Sequence, residues 1–226
     1  SWTASDTIAA TVSDPGGAGA GATTYWGYSA DATCNSSDDA ALTNTGTSTT
    51  VNANHTDYVC FSNTDAAGNK GYSAAIGPLK VETDPPAFTV TDGAGASWAA
   101  SDTIAVTVSD TGGSGAGATT YWGYSADATC NSSDDSALTN SGTSTTIDTS
   151  HIEYICFSNT DAAGNKGYST AIGPLMVDIT NPSVIGSVND GTGADKTYVS
   201  SATQLSANWS AATDAESGIA AYWYAI

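Results

Sequence analysis

The clearest pattern along the chain is an alternation of apolar and polar residues. Residues 103–108 place an Ile and two Val on one face and Thr and Ala on the other, which is the period of two expected of a half-buried strand. Residues 152–159 are apolar on both faces, as in a central strand. Residues 143–149 are rich in Thr, which favours a strand at a sheet edge. No segment of useful length has a helical period, so we predict an all-β chain.

Further strands and turns complete a set of seven short strands in the middle of the chain. The additional predicted strands are Ala87–Thr91, Thr119–Ser125 and the segment Tyr168–Ile179, which Gly173-Pro174 interrupts and which therefore counts as two. The strands are separated by a Gly-rich loop at 109–118 and a turn at 160–167. Seven short strands with turn signals between them predict an immunoglobulin-like β-sandwich.

The pattern repeats with a period of 96 residues. Residues 1–82 and 97–178 differ at 16 of 82 positions, so the two copies are about 80% identical. A period of this length exceeds the roughly 20–50 residues of solenoid and propeller repeats and suits one autonomous sandwich of about 100 residues. The segments that return most clearly are Trp2–Ile8 at Trp98–Ile104, Tyr25–Tyr28 at Tyr121–Tyr124 and Asp65–Lys70 at Asp161–Lys166.

Two Pro-containing segments predict the domain boundaries. Thr83–Pro86 has its counterpart in Ile179–Pro182, and proline-rich punctuation after an extended segment is typical of a linker. The sequence after Pro182 is diverged and covers about three strands. We therefore predict a repeat that lacks its first strand at 1–82, a complete repeat at 83–178 and a partial, truncated one at 179–226. Such a chain is expected to be a fragment of a longer array.

Four cysteines stand in equivalent positions of the two repeats. Each repeat has one pair, 26 residues apart, which favours disulfides within domains and an oxidising compartment. Four cysteines allow three pairings, of which the repeat selects Cys34–Cys60 and Cys130–Cys156. Each bridge would tie a loop to a neighbouring strand instead of joining two sheets, unlike the bridge of antibody domains.

The charge balance excludes several partners. The chain has 23 acidic residues, four Lys and no Arg, for a net charge of −19. It lacks the basic surface that nucleic acids and anionic membranes require. No run of about 18 apolar residues is present, so we expect no membrane insertion of this segment.

Catalysis has little support in the sequence. The only histidines are His55 and His151, at equivalent loop positions, and a catalytic base duplicated in each repeat would be unusual. The chain has no G-x-S-x-G, H-E-x-x-H or phosphate-loop motif. We therefore expect a protein that is not an enzyme.

Three motifs recur along the chain. They are Asp-Ala-Ala-Gly-Asn at 65–69 and 161–165, Ser-Asp-x-Gly-Gly-x-Gly at 13–19 and 109–115, and the Asp-Pro-Pro or Asn-Pro linker. Together they resemble the bacterial immunoglobulin-like repeats of very large secreted adhesins and surface proteins, and the segment from Asp214 to Ile219 resembles a related variant. The resemblance implies an extracellular spacer or adhesive role, often with calcium stiffening the junctions between domains.

The acidic loops predict where calcium would bind. In an immunoglobulin-like domain the start of the first strand and two of the loops meet at one pole, and calcium takes six to eight oxygen ligands. The alternative is that these residues only cap turns. The candidate ligands are Asp84, Asp110, Asp161 and Asn165 in repeat 2, Asp178, Asp214 and Glu216 in the third domain, and Asp14, Asp65 and Asn69 in repeat 1, which lacks a preceding linker.

The function predicted from these features is structural. Rigid modules with short linkers would form a stalk of an extracellular surface protein, in contact with neighbouring domains of the same longer chain. One alternative is a filament in which copies of the chain pair through edge strands. Another is a glycan-contacting accessory module of a secreted enzyme, in which Trp98 is a candidate contact.

Overall fold

The computed structural model describes residues 1–198 and 203–225, which form an all-β chain. The elements of repeat 1 are β1 (Asp6–Ala9), β2 (Thr24–Ser29), a 3₁₀ turn at Ser36–Asp38, β3 (Asn44–Thr45), β4 (Ser48–Val51), β5 (Tyr58–Thr64) and β6 (Lys70–Tyr72). Those of repeat 2 are β7 (Ala87–Asp92), β8 (Asp102–Ser109), β9 (Thr120–Ser125), a 3₁₀ turn at Ser132–Asp134, β10 (Asn140–Ser141), β11 (Ser144–Ile147), β12 (Tyr154–Thr160) and β13 (Lys166–Tyr168). The third domain contributes β14 (Val188–Asp190) and β15 (Ala207–Trp209).

All strand pairs are antiparallel within the described ranges. Repeat 2 has a three-stranded sheet in the order β11-β8-β7 and a four-stranded sheet in the order β10-β9-β12-β13. Repeat 1 has the same four-stranded sheet, in the order β3-β2-β5-β6, but β1 pairs only with β4. Strand β7 of repeat 2 therefore has no described counterpart in repeat 1.

The core of repeat 2 lies between its two sheets. Ile104 from β8 and Ile147 from β11 meet Ile155 and Phe157 from β12, and all four are buried. Burying each such side chain contributes about 1.5–3 kcal/mol. This shared cluster holds the two sheets face to face, an arrangement consistent with a β-sandwich, and repeat 1 has an equivalent cluster of its own.

The segment that closes repeat 2 has less regular strand than the interrupted pair predicted at Tyr168–Ile179. Only its first residue lies in a strand, β13, after which isolated bridges join Ile172 to Ile155 and Val177 to His151. Gly173-Pro174 interrupts the ladder because proline has no N–H to donate. The segment still supplies buried Ile172, Leu175 and Val177 to the core.

Two short elements of repeat 2 were not predicted. One is the 3₁₀ turn at Ser132–Asp134, where Asn131 accepts from Ser133 N at 2.8 Å and Asp134 accepts from Asn131 N at 2.9 Å. This reciprocal pairing satisfies N–H groups that a turn this short leaves free. The other is β10, which has two residues, too few to produce a period.

Both predicted disulfides are present. Cys34 is bonded to Cys60 and Cys130 to Cys156. Cys156 lies on β12, whereas Cys130 stands in the loop before the 3₁₀ turn. Each bridge thus ties a loop to a neighbouring strand, and paired cysteines of this kind are typical of an oxidising environment.

The third domain exposes most of its large apolar side chains. Strands β14 and β15 pair as Val188 with Trp209 and Asp190 with Ala207, and Trp223 is 93% exposed. Among the described residues, no helix is long and apolar enough to span a bilayer.

Candidate metal centres at the repeat junctions

The Asp-Ala-Ala-Gly-Asn turn of repeat 2 positions one acidic ligand. The turn closes through Asp161, whose Oδ1 accepts from Asn165 N and whose Oδ2 accepts from Asn165 Nδ2, both at 2.8 Å. Burial of Asp161 acts to raise the pKa of its carboxyl, but the hydrogen bonds from Asn165, Gly164 and Ala163 outweigh it and leave the pKa below its usual value. The buried Asp161 is therefore ionised at neutral pH.

The Gly-rich loop between β8 and β9 positions a second carboxylate of the candidate site, that of Asp110. Asp110 Oδ1 accepts from Gly112 N at 3.1 Å, and Asp110 Oδ2 accepts from Ser114 Oγ at 3.4 Å. This is the local side-chain-to-backbone bonding that Asp favours at turns. It fixes a half-buried carboxylate beside the Asp161 turn.

The third carboxyl group of the candidate site, that of Glu82, comes from the preceding repeat. Glu82 ends repeat 1, where its N–H donates to Thr3 O at 3.0 Å, and its side chain reaches the loops of repeat 2. Glu82 Oε2 accepts from Ser114 N at 2.6 Å, and the backbone oxygen of Glu82 accepts from Asn165 Nδ2 at 3.0 Å. The residue is 0% exposed, so the boundary between the repeats buries a carboxyl group.

Two glycines permit this close approach of the repeats. A Cβ on Gly112 would lie 1.4 Å from Glu82 Oε1, and a Cβ on Gly113 would lie 2.9 Å from the indole of Trp2. Gly113 also has a φ of +108°, a conformation that side-chain-bearing residues rarely adopt. The Gly-Gly pair of the loop thus receives both a carboxylate and an aromatic ring from repeat 1.

The three carboxyl groups form one cluster. One oxygen from each of Glu82, Asp110 and Asp161 lies within 4.8 Å of the other two. The Oε1 atom of Glu82 is buried and makes no hydrogen bond to any described residue, although a buried polar atom is ordinarily paired. An all-oxygen set with an unpaired carboxylate oxygen fits a hard cation such as Ca²⁺ better than Zn²⁺, which prefers nitrogen and sulfur. A calcium ion would take its remaining ligands from backbone oxygens or water.

The junction with the third domain has a matching cluster. One oxygen each from Asp178, Asp214 and Glu216 lies within 4.8 Å of the others. Asp178 stands 96 residues after Glu82, and its Oδ2 accepts from Ser217 N at 3.2 Å, as Glu82 accepts from Ser114. Hydrogen bonds from Ser217 and then from Thr180 N hold the pKa of Asp178 below its usual value.

Asp214 provides the loop carboxylate of this second cluster. Its Oδ1 accepts from the N–H groups of Ser217 and Gly218, both at 3.0 Å. Its Oδ2 is buried without a partner among the described residues. The two junctions therefore share a plan: the last residue of one repeat meets the loop aspartate of the next.

The predicted set in repeat 1 is less complete. Asp65 accepts from Asn69 N and from Asn69 Nδ2, both at 2.8 Å, and these bonds hold its pKa below the usual value. Asp14 Oδ1 accepts from Gly16 N at 2.8 Å, and its Oδ2 is buried and unpaired within the described part of the chain. Among the described residues, neither Asp14 nor Asp65 belongs to a cluster of three or more acidic groups.

Asp84 does not lie where the sequence analysis placed it. Its Oδ2 accepts from Asn54 Nδ2 at 2.6 Å at an exposed position, and it is not part of the acidic cluster. Glu82 occupies the expected place instead. The signal that could have identified it is the acidic residue at the end of both repeats, Glu82 and Asp178.

The remaining candidates from the sequence analysis are two histidines and two tryptophans. The His55 and His151 rings stack on Tyr28 and Tyr124, with centroids 3.9 and 4.2 Å apart. Trp122 packs against the core of repeat 2, whereas Trp98 is 36% exposed.

Comparisons of the chain with protein-family models, with curated proteins and with solved structures find no match.

Proposed function

We propose that the chain is a non-catalytic structural segment of an extracellular bacterial surface protein of the adhesin type, built from tandem immunoglobulin-like sandwiches that act as a rigid stalk. The observation that carries the proposal is Glu82, the last residue of one repeat, fully buried against the loops of the next. Burying a carboxylate is costly unless it is paired. A freely hinged linker would leave this group in water, so its burial favours a fixed angle between repeats.

Calcium is the proposed cause of that fixed angle. At a separation of no more than 4.8 Å and an effective dielectric constant of about 20, two carboxylates repel by at least about 3 kcal/mol. A divalent cation between Glu82, Asp110 and Asp161 replaces this repulsion with attraction. Because Glu82 belongs to repeat 1 and the two aspartates to repeat 2, the ion would bind the repeats to each other. Asp178, Asp214 and Glu216 would do the same at the next junction.

The extracellular location rests on two further features. Both disulfides are of the kind that persists in oxidising compartments. The surface carries a net charge of −19, which keeps a protein rich in Ala, Ser and Thr soluble and separate from its neighbours. The adhesin-type assignment rests on the motif resemblance described above.

Solution scattering in the presence of calcium or of a chelator tests the stalk. We expect an extended particle with a narrow range of shapes in calcium and a broader range in chelator, with magnesium as the control cation. A calorimetric titration measures binding directly. Equal flexibility in calcium and chelator, or no calcium binding, would show that the junctions are not locked in this way.

A further inference from the structure

The contact that Glu82 makes with repeat 2 requires a glycine in the receiving loop. Glu82 Oε2 accepts from Ser114 N at 2.6 Å, and a Cβ built on Gly112 would lie 1.4 Å from Glu82 Oε1. Atoms this close overlap, so any side chain at position 112 would displace the Glu82 carboxyl group. The φ of Gly112 lies outside the left-handed region. The neighbouring repeat, and not the backbone of the loop, therefore demands a glycine at this position.

The third domain has a side chain at the equivalent position of its own receiving loop. In repeat 2, Asp110 Oδ1 accepts from Gly112 N at 3.1 Å, two residues further along the loop. In the third domain, Asp214 Oδ1 accepts from Glu216 N at 3.2 Å in the same way. Glu216 therefore stands where repeat 2 has Gly112, so a residue as long as Glu82 would meet a side chain there.

The residue that ends repeat 2 is shorter than Glu82 by one methylene group. Asp178 stands 96 residues after Glu82, and its Oδ2 accepts from Ser217 N at 3.2 Å. One carboxylate oxygen of Asp178 lies within 4.8 Å of one of Glu216. The longer residue of the first junction thus faces a glycine, whereas the shorter residue of the second junction faces a glutamate.

The tryptophan near the start of each repeat differs between the junctions in the same way. A Cβ on Gly113 would lie 2.9 Å from the Trp2 indole, so the ring of repeat 1 approaches the loop of repeat 2 closely. The equivalent residue of the third domain, three residues after its loop aspartate, is Ser217. Trp98 is exposed, whereas Trp2 is half-buried. Both glycines of the loop in repeat 2 therefore fit the end of repeat 1, and the loop that meets repeat 2 has neither.

The sequence differences between the two repeats are concentrated at the end that meets the next domain. Eight of the 16 differing positions, 3, 52–54, 56, 57, 80 and 82, fall in the segments 1–3, 52–57 and 80–82, which cover 12 of the 82 positions compared. Backbone hydrogen bonds hold these segments side by side, from Thr3 N to Lys80 O and from His55 N to Val81 O, both at 2.9 Å. Half of the differences therefore lie where each repeat meets its successor.

One of these differing positions also matches the linker that follows it. Asn54 Oδ1 accepts from Thr83 N at 2.7 Å, and Asn54 Nδ2 donates to Asp84 Oδ2 at 2.6 Å. At the second junction the linker has Thr in place of this aspartate. There Ser150 replaces Asn54 and accepts from Ile179 N at 3.2 Å. Each linker is therefore held by a side chain that suits its own sequence.

We propose that these residues set the order of the repeats, so that the end of each repeat fits the loop of its own successor and rejects that of another. The matched pairs are Glu82 with Gly112 and Asp178 with Glu216. A glutamate before the third domain would collide with Glu216, and an aspartate before repeat 2 would fall short of Ser114 N. Such collisions discriminate between partners as effectively as added contacts do. The inference rests on the proposed stalk, because the order of repeats matters where junctions are fixed.

A double-mutant cycle at the first junction tests this matching in the full chain with calcium present. Gly112→Gln introduces a side chain as long as that of Glu216 without adding charge, and Glu82→Asp shortens its partner. We expect Gly112→Gln alone to break the contact and the double variant to restore it. Hydrogen exchange of the Ser114 amide should be at least about tenfold faster in the single variant, which corresponds to about 1.4 kcal/mol. Residual dipolar couplings show whether the two repeats align as one body.

Glu82→Gln provides the matched control for side-chain length. It removes the charge but keeps the length, so it should not rescue Gly112→Gln. Equal rescue by Glu82→Gln and Glu82→Asp, or no rescue by Glu82→Asp, would overturn the matching. A wild type whose repeats align independently in calcium would contradict the stalk and the matching together. A rigid wild type that Gly112→Gln leaves unchanged would overturn the matching alone.

The second junction provides the reverse test, which stays decisive if Gly112→Gln distorts the loop of repeat 2. Asp178→Glu lengthens the residue that faces Glu216, and Glu216→Gly supplies the glycine that a longer partner needs. We expect Asp178→Glu to make β14 and β15 align independently of repeat 2 in residual dipolar couplings, and the double variant to restore a common alignment. An alignment that Asp178→Glu leaves unchanged, or that Glu216→Gly fails to restore, would overturn the proposal.

Discussion

Glu82→Gln is predicted to change the stability of the junction in opposite directions with and without calcium. The substitution keeps the size of the side chain and an oxygen that can accept from Ser114 N, but it removes the charge. In chelator the wild type holds three carboxyl groups with one oxygen each within 4.8 Å of the others. The variant removes two of the three repulsive pairs, so we expect it to be the more stable protein under that condition.

The sizes of the repulsion removed and of the calcium binding lost decide which protein is the more stable in calcium. Each pair lies within 4.8 Å and costs at least about 3 kcal/mol at an effective dielectric constant of about 20, and local relaxation reduces the net gain of the variant to about 1–3 kcal/mol. In calcium at about a thousandfold excess over the dissociation constant, the wild type gains about 4.1 kcal/mol from binding. The variant loses most of that gain because it keeps only two of the three charged ligands. The order of stability should therefore reverse.

Urea unfolding of both proteins, in excess calcium and in chelator, measures this reversal. Asp84→Asn is the matched control: it removes a carboxylate two residues away that lies outside the cluster and accepts from Asn54. We expect this control to keep the calcium-dependent increment. If Glu82→Gln is destabilising by the same amount in both conditions, Glu82 acts through packing alone and the calcium argument fails.

The other predictions concern repeat 2. Replacing Cys130 and Cys156 together by Ala removes a bridge across a separation of 26 residues and should lower the urea-derived unfolding free energy by about 3 kcal/mol. Asp135→Asn should bring the pKa of Tyr168 part of the way down from about 12, because burial still raises that pKa but the negative charge of Asp135, which opposes ionisation of the phenol, is lost; absorbance titration of the phenolate measures it. Asp102→Asn should become more stabilising relative to wild type as the pH rises. Burial, and then a neighbouring aspartate, raise the pKa of Asp102, and a raised folded-state pKa gives stability that is present at low pH and lost as the pH rises through it; unfolding in urea at acid and neutral pH measures the difference.

Each of these predictions has a contrary outcome. A Cys pair replaced without loss of stability would mean that the unfolded state is not constrained by the bridge. A Tyr168 pKa that stays at about 12 after Asp135→Asn would assign the whole shift to burial. For Asp102, an Asp102→Asn variant whose stability relative to the wild type does not change between acid and neutral pH would contradict the role of burial.

The alternating pattern of the sequence was sufficient to predict most of the strands because it follows from local geometry. Successive side chains of a strand point to opposite faces, so the apolar residues of 103–108 identify both the strand and its buried face. The repeat selected the cysteine pairing for a similar reason, since two near-identical copies fold alike. The elements that were not predicted, such as Asn140–Ser141, are too short to leave a period.

The alternating pattern and the repeat could not show which acidic residue of the boundary enters the cluster with Asp110 and Asp161. Asp84 was chosen because it stands in the linker, but Asn54 binds its carboxylate at the surface, and the two prolines that follow restrict the backbone. Glu82 has a longer side chain and precedes the linker, and it enters the cluster because Gly112 has no Cβ to obstruct it. Which residue enters the cluster depends on how the two repeats approach each other in space, and separation along the sequence does not give that approach.

The two repeats show that burial in this chain depends on neighbours more than on sequence. Asp161 and Asp65 stand in identical five-residue turns, yet Asp161 is buried in a cluster with Glu82 and Asp110, whereas Asp65 is half-buried. Identical five-residue turns therefore differ in burial because different segments pack against them. For Asp161 that segment is the end of the preceding repeat, where the backbone oxygen of Glu82 accepts from Asn165 Nδ2, so the candidate site should be measured on joined repeats.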